Sequence, residues 1–518
     1  MSFYDAIRVG ASGAGDYEVK RSLRFNDDDS PYLSRTPSSA GNTKTFTFSA
    51  WVKRSGFGRG VILGVATAVG SQESGIEFDG DIIRCYQYTG SFNFRLRTGN
   101  QYRDPSAWYH IVFALDTTQA SSNNRAKLYV NGEQVTDLGA NEQPSQNFDS
   151  GFINTTTEHR IGQLAGSHKF DGYMAEINFI DGFQYDPSYF GETNADTGQW
   201  NPKKYVGSYG SNGYYLNFLD NSGTTATTLG KDTSGNGNNW TPNNFSVSAG
   251  EGNDSLEDTP TLNYPTLNPL DMGSTTASHL VFSNGNLQVK AASGVWAATR
   301  GTFHVATGKW YWEVKVLSAA TLRPFIGIIE STVRLASNQT EQSNELGPTS
   351  TGIAYWVGNP LIRGGTNTSG TSTNVPSCTV GDIVGVALDM DNKKVFFSKN
   401  GTFFASQDPA NSSGEIVAFS TSMQNATIAP AIQTYNNTSE VAMNFGQRAF
   451  DYTPPTGYKK LNSANLPEPT ILLPNKHFNT LIWDGNSTQD RDISGLDFQP
   501  DWVWIKSRNG GTYGGGLY

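Results

Sequence analysis

Residues 107–135 carry the clearest alternation in the chain. Tyr109, Ile111, Phe113 and Leu115 fall on one side of a period-two pattern, and Trp108, His110, Val112 and Ala114 on the other. A strand apolar on one side and mixed on the other predicts an inner sheet of a β-sandwich. Asp116 stops the run, and a loop rich in Thr, Ser and Asn follows. A second extended stretch, Ala126–Val130, runs into Asn131-Gly132. Asn-Gly between extended segments predicts a type I′ turn, because both central residues of that turn need φ > 0. The stretch therefore reads as strand, loop, strand, tight turn, strand. The same device recurs at 386–389, 395–398 and Asn400-Gly401.

The pattern extends in both directions. Residues 1–20 are Gly- and Ala-rich and too short for a core, and are predicted as an N-terminal segment that docks on another protein. Residues 21–190 form a first β-domain, with strands at 22–25, 46–53 and 170–180 in addition to the opening stretch. In the last of these Tyr173, Ala175, Ile177 and Phe179 alternate with Met174, Glu176 and Asn178. Residues 191–278 are dense in turn residues, yet Tyr and Trp recur, which predicts an ordered connector rather than a floppy linker. Residues 279–465 form a second sandwich, and 466–518 a C-terminal extension too short for its own domain, expected to pack on that sandwich or on neighbouring subunits. The expected fold is all-β: two antiparallel β-sandwiches joined by an irregular connector.

Several motifs carry a family resemblance. FTFSAWVK at 46–53, WYHIVFALD at 108–116, KLYVNGEQV at 127–135 and FDGYMAEINFID at 170–181 resemble the laminin-G/pentraxin-like branch of the concanavalin-A-like lectins. That resemblance implies a two-sheet jelly roll. GKWYWEVKV at 308–316, GDIVGVALDMDNKKVFFSKNGTFF at 381–404, IAPAI at 428–432 and MNFGQRAF at 443–450 resemble the SPRY domain, which implies a bent sandwich acting as a protein-interaction module. With the connector LGKDTSGNGNNWTPNNFSVSAGEGNDS at 229–255, the whole is similar to fibre or appendage proteins of marine tailed phages. This likeness implies a virion location, a role at the host surface and a homo-oligomer, with trimers the common symmetry of such fibres. The N-terminal segment would then meet other virion proteins, and the sandwiches a host-surface glycan or protein.

Composition narrows the function classes. Charged residues are 16% of the chain, below the usual ~25%. Gly is high at 56 of 518, which suits short strands joined by polar turns. A net charge of −10 and the absence of a Lys/Arg-rich run argue against a nucleic-acid partner. No apolar run reaches ~18 residues, so no membrane insertion is expected. The N-terminus lacks a basic stretch followed by an apolar core, so no signal peptide is expected. Cys85 and Cys378 are far apart and are expected as free thiols.

Candidate chemistry is sparse, and no enzyme activity and no cofactor are expected. Lectin-fold glycoside hydrolases need paired carboxylates across a cleft. The nearest match is Glu77-Phe78-Asp79-Gly80-Asp81, where Gly80 predicts a turn. Asp389-Met390-Asp391-Asn392 begins like a calcium loop but runs into Lys393, Lys394 and a strand, which predicts a hairpin turn. Asp27, Asp28 and Asp29 read as a solvated turn, with calcium binding left open. The histidines show no metal-ligand spacing. For ligand binding, the aromatic, amide and guanidinium groups in apparent loops of the second sandwich are the candidates: Trp356, Arg363, Tyr435 and Asn436.

Overall fold

The computed structural model describes residues 17–272, 279–292, 296–319, 324–335, 346, 349–404, 407–435, 437–486, 490–507 and 516–517. The chain is 41% strand and 3% helical, so the architecture is all-β. Residues 1–16 of the N-terminal segment lie outside the described residues, as does Asn436.

The opening stretch forms as its pattern predicts. Trp108–Asp116 pairs antiparallel with Ala126–Val130, which pairs in turn with Glu133–Gln134. Asn131 and Gly132 both take positive φ, +49° and +85°, as a type I′ turn requires. In the second sandwich Lys394–Lys399 and Thr402–Phe403 pair across Asn400 (φ +49°) and Gly401 (φ +79°).

Two eight-stranded sheets make the first sandwich. One is centred on Thr45–Arg54, Trp108–Asp116 and Gly172–Asp181. The other is centred on Gly60–Ala68, Gln72–Asp79 and Ile82–Tyr88. Phe46, Phe48, Phe113, Ile76, Ile83 and Leu96 fill the space between them. Three strands come from the predicted connector. Tyr214–Leu216 pairs with Gly172–Asp181, Ser255–Leu256 with Ser22–Phe25, and Thr241–Asn243 with Tyr32–Arg35. The connector thus finishes the edges of the first sandwich.

The side of Trp108–Asp116 that the sequence shows as mixed is buried as well. Its far part lies under Phe190 and the connector aromatics Tyr205, Tyr209 and Tyr215, which pack with Val112, Ala114, Tyr129 and Ile180. His110 sits in the middle, stacked on Trp51 at 4.9 Å and on Trp200 at 6.0 Å. Trp200 Nε1 donates to His110 Nδ1 (2.9 Å), so Nε2 carries the proton and donates to Ser49 Oγ (2.8 Å). Burial pulls the His110 pKa down to about 3, so the imidazole stays neutral.

The near part of the same face meets the second sandwich. Trp51, Trp108, Tyr173 and Ala175 share one apolar cluster with Leu256, Tyr264, Leu280 and Val289. Lys53 is 0% exposed, and its ammonium spends all three protons on Asp258 Oδ2 (2.8 Å), Asn263 Oδ1 (2.8 Å) and Tyr264 O (2.7 Å). Trp108 Nε1 donates to the other oxygen of Asp258 (3.2 Å). Nearby, Arg24 bonds Asp254, and Tyr173 Oη donates to Gly285 O (2.6 Å). Residues 251–267 are therefore mortar between two cores rather than a tether.

Among the described residues the second sandwich consists of a seven-stranded and an eight-stranded sheet. The first runs Leu267–Met272, Trp296–Gly301, Ile428–Tyr435, Phe325–Glu330, Gly352–Trp356, Leu361–Gly364 and Asn367–Thr371 in spatial order. Lys309–Ala319 is central to the other and pairs with Ile383–Asp389 and Ser439–Asn444. Leu461 is buried, but none of the described residues from 467 onward is. The C-terminal extension leaves the second sandwich there, with Phe478, Ile482, Trp502 and Trp504 more than half exposed. Among the described residues no helix is long and apolar enough to cross a membrane.

At the other terminus, Tyr17 reaches the first sandwich through three oxygens. Tyr17 Oη lies 2.7 Å from Glu176 Oε2 and 2.6 Å from Tyr215 Oη, and Tyr215 Oη lies 2.7 Å from Glu176 Oε2. Three contacts need three protons, and two phenols supply only two. A proton on the Glu176 carboxyl closes the ring, with each oxygen donating once and accepting once. Burial pushes this carboxyl up to about 7. Glu176 sits at a bulge in Gly172–Asp181 with φ +52°, a conformation that costs a residue bearing a side chain.

Candidate functional site

The two sheets of the first sandwich differ on their outer sides. One is covered, as described above; on the other, Glu73, Glu77 and Tyr86 are buried within a polar network and the row of side chains beside it is partly exposed. On this second sheet Ile76, Phe78, Ile83, Cys85, Phe94 and Leu96 face the core. Period two then sends Glu73, Glu77, Asp79, Arg84, Tyr86 and Tyr88 outward. The register sets Glu77 opposite Arg84 and Glu73 opposite Tyr88.

These side chains form one polar network. Arg59 Nε spans the Glu77 carboxylate at 3.1 and 3.2 Å, and its Nη2 reaches Glu73 (3.3 Å) and Tyr86 Oη (2.8 Å). Arg84 holds Glu77 from the other side and Asp79 at 2.9 Å. Arg59 Nη1 donates to His168 Nε2 (2.7 Å), and burial together with this guanidinium lowers the His168 pKa. Burial alone would raise the Glu73 pKa. Bonds from Gly70 N–H, the Tyr86 hydroxyl and Arg59 outweigh it and hold the carboxyl below its usual range. Both oxygens of Glu77 are taken by guanidinium groups, so neither faces a substrate. Gly80 does turn the chain (φ +66°), and Asp81 pairs with Arg103 instead of joining the network.

Beside the network runs a half-exposed row of rings and cations. Arg84 lies over Tyr86 at 4.7 Å, and Arg95 over Phe92 at 4.2 Å. Phe92 meets Tyr86 and Tyr88 edge-on at 6.1 and 5.1 Å. Arg84, Tyr88, Phe92 and Arg95 are all partly open to solvent. Flat apolar faces next to fixed hydrogen-bond donors and acceptors are the chemistry that holds a polar, ring-shaped ligand. Sequence reasoning missed this row. The signal was there: Glu73-x-x-x-Glu77-x-Asp79 followed by Arg84-x-Tyr86-x-Tyr88 is a polar period-two pattern on paired strands.

Three of the four residues proposed from sequence come together, but not in loops. Trp356 ends the strand Gly352–Trp356, Arg363 lies within Leu361–Gly364, and Tyr435 ends Ile428–Tyr435. With Trp296 and Phe325 they form a line across five adjacent strands, about 19 Å long at the usual strand spacing. Trp296 meets Tyr435 at 4.9 Å and Phe325 at 5.7 Å, and Phe325 stacks on Trp356 at 5.1 Å. The Arg363 guanidinium sits 4.9 Å from the Phe325 ring and 5.5 Å from that of Trp356. Leu335 and Leu346 pack into the same cluster, so Trp296 and Phe325 are buried and only the rims, Trp356 and Tyr435, are partly exposed. A strip of this kind serves first as packing between the sheet and its cover.

The acidic turns resolve simply. Asp27, Asp28 and Asp29 form an exposed turn in which Asn26 Nδ2 bonds Asp29 (2.6 Å). Asp389 is tied to Lys309 (3.0 Å), Asn392 N (2.9 Å) and Ser412, inside the expected hairpin turn. Among the described residues no group of three His, Cys, Asp or Glu side chains is placed to hold a metal ion. Cys85 and Cys378 are buried free thiols.

Three stretches of the chain match known families. Residues 27–182 match the Concanavalin A-like lectin/glucanases superfamily, residues 309–448 the SPRY domain, and residues 473–514 a Domain of unknown function (DUF7483). Among solved structures, the SPRY domain of human HERC1 is similar at 17% identity, over 35% of this chain and 99% of that one, with a TM-score of 0.27. A further human SPRY domain is similar at 14% identity, over 33% and 98%, with a TM-score of 0.23. A native heptameric SAP-like pentraxin from Limulus polyphemus is similar at 14% identity, over 32% and 77%, with a TM-score of 0.24. No curated protein matches the chain.

Proposed function

From a chain that carries a concanavalin-A-like lectin domain followed by a SPRY domain, we propose a non-enzymatic virion protein of a tailed phage. In this reading it is a tail fibre or fibre-like adhesin that binds a host-surface glycan or protein. The observation that carries the binding role is the open row of Arg84, Tyr88, Phe92 and Arg95. Among the described residues these four side chains stay partly exposed on the outer side of their sheet. The buried, doubly paired Glu77 supports binding without hydrolysis.

The test is direct. The purified chain is passed over immobilised bacterial surface polysaccharides and intact cells, beside an Arg84→Ala/Tyr88→Ala variant. Retention of the parent and loss in the variant supports the adhesin. Equal retention of both removes the face from the argument. Release of reducing sugar, lost on Asp79→Ala, would make the protein a depolymerase.

A second reading has its own observation. Phe478, Ile482, Trp502 and Trp504 are exposed in the extension, which suits a head-fibre, decoration or connecting protein that contacts other virion proteins or further copies of itself. Sedimentation of the full chain beside one truncated at 466 tests self-association, with a trimer expected. Localisation in purified particles tests the virion assignment.

A further inference from the structure

Lys53, Asp258 and Asn263 meet at the seam between the two cores, and none is more than 1% exposed. Lys53 comes from the strand Thr45–Arg54. Asp258 and Asn263 flank a tight turn closed by paired backbone bonds between Thr259 and Leu262. The amide of Asn263 is held at both ends. Its Nδ2 donates to Ser106 O (2.7 Å), which leaves Oδ1 to accept from Lys53 Nζ (2.8 Å). A carbonyl carbon lies about 1.2 Å from its oxygen, so Asn263 Cγ is within ~4 Å of Nζ. Reacting atoms need a separation of about 3–3.5 Å, so a small displacement of the Lys53 side chain brings Nζ into position. Asp258 Oδ2 also lies 2.8 Å from Nζ.

An amine, a primary amide and a carboxyl group, shut off from solvent beside Trp108 and Tyr173, are the complete set for acyl transfer between side chains. Burial lowers the Lys53 pKa and raises that of Asp258, and both changes ease the passage of one proton along their hydrogen bond. Asp258 Oδ2 takes that proton and frees the Nζ lone pair. The lone pair attacks Asn263 Cγ and forms the Nζ–Cγ bond. A second Nζ proton passes to Nδ2, the Cγ–Nδ2 bond breaks with its electrons on nitrogen, and ammonia leaves. Asp258 ends protonated, and the product is a neutral secondary amide. Competing routes are closed. Tyr264 N, the nitrogen that would attack Cγ to make a succinimide, donates instead to Asp258 Oδ1 (3.3 Å), and burial keeps bulk water away from Cγ. The reaction also exchanges a buried ion pair, with its desolvation cost, for an uncharged link.

We propose that Lys53 and Asn263 form an autocatalytic isopeptide bond, with Asp258 as proton carrier, which ties the first sandwich covalently to residues 251–267. The ion pair described above is the state before the bond closes, and Lys53→Met removes both forms of the tie. The full chain, freshly purified and again after extended warming in neutral buffer, is denatured and its intact mass measured. The expected result is the sequence mass less one ammonia, about 17 Da. A succinimide at Asn131-Gly132 or Asn400-Gly401 would lose the same mass, so tryptic peptides are sequenced as well. They should include a branched peptide joining the Lys53 and Asn263 segments, with no cleavage after Lys53. Asn263→Ala keeps the Lys53–Asp258 ion pair, should fold, and should lack the branched peptide. The full sequence mass after warming, or a loss of ammonia without the branched peptide, would overturn the proposal. Linkage in Asp258→Asn as fast as in the parent would overturn the role given to Asp258.

Discussion

Lys53→Met tests whether the two sandwiches are held as one body by a buried charge. The substitution keeps the length of the side chain and removes the ammonium. It leaves Asp258, 1% exposed, without a countercharge, and strips Asn263 Oδ1 and Tyr264 O of their donor. Breaking one side of a buried ion pair costs ~3–5 kcal/mol, because the surviving charge stays desolvated. For cores of this size each kcal/mol moves Tm by about 2–4 °C, so the drop should be roughly 6–20 °C. The loss falls on the contact between the cores more than within either. Scanning calorimetry should therefore resolve two transitions in the variant where the parent shows stronger coupling. Lys53→Met/Asp258→Asn removes the stranded charge yet leaves an amide oxygen for Trp108 Nε1, and should recover part of the loss. A Lys53→Met variant within 1 kcal/mol of the parent in urea unfolding, or a double variant worse than the single, would refute the reasoning.

Other consequences can be measured separately. Glu176 has a folded pKa of about 7 against an ordinary value of 4.5, so the folded chain holds a proton that the unfolded chain gives up. That contribution, on the order of 3 kcal/mol, is complete below about pH 4.5 and is lost as pH rises through 7. Urea midpoints taken from pH 4.5 to 8 should show it, and Glu176→Gln should flatten that part of the profile. Gly285→Ala should destabilise by about 2–4 kcal/mol. Its φ is +68°, and a Cβ there would lie 2.2 Å from the buried Tyr173 Oη. A urea midpoint unchanged by Gly285→Ala would count against the tight seam described between the two cores.

How much of this was legible in the chain depends on the range of the interaction. The Asn131-Gly132 and Asn400-Gly401 turns are local: two residues need positive φ, and the sequence supplies the pair that tolerates it. Strand alternation is nearly as local, and the sandwich class follows from it. The burial of His110 was not legible. Its cover, Trp200, lies far along the chain in a segment whose composition suggests a connector. Trp356, Arg363 and Tyr435 were recognisable by chemical type, and they do converge, yet their place in strands depends on a cover that no local pattern announces. The row on the first sandwich is missed when the acidic residues at 77–81 are read as catalytic spacing. The same strand, read as paired faces, points to Glu73 and Tyr86.

The strands that the connector adds to the first sandwich also impose an order of events during synthesis. When residue 190 has left the ribosome, the first core has most of its apolar residues but lacks the edge strands at Tyr214–Leu216, Thr241–Asn243 and Ser255–Leu256. Until they arrive, Ser22–Phe25 and Tyr32–Arg35, each paired on one side with Gly172–Asp181 and His159–Ile161, present one unpaired edge apiece, and the Val112, Ala114 and Ile180 surface faces water. The nascent chain thus passes through an interval with an adhesive edge and an uncovered apolar face, and closure waits on residues that also begin the second core.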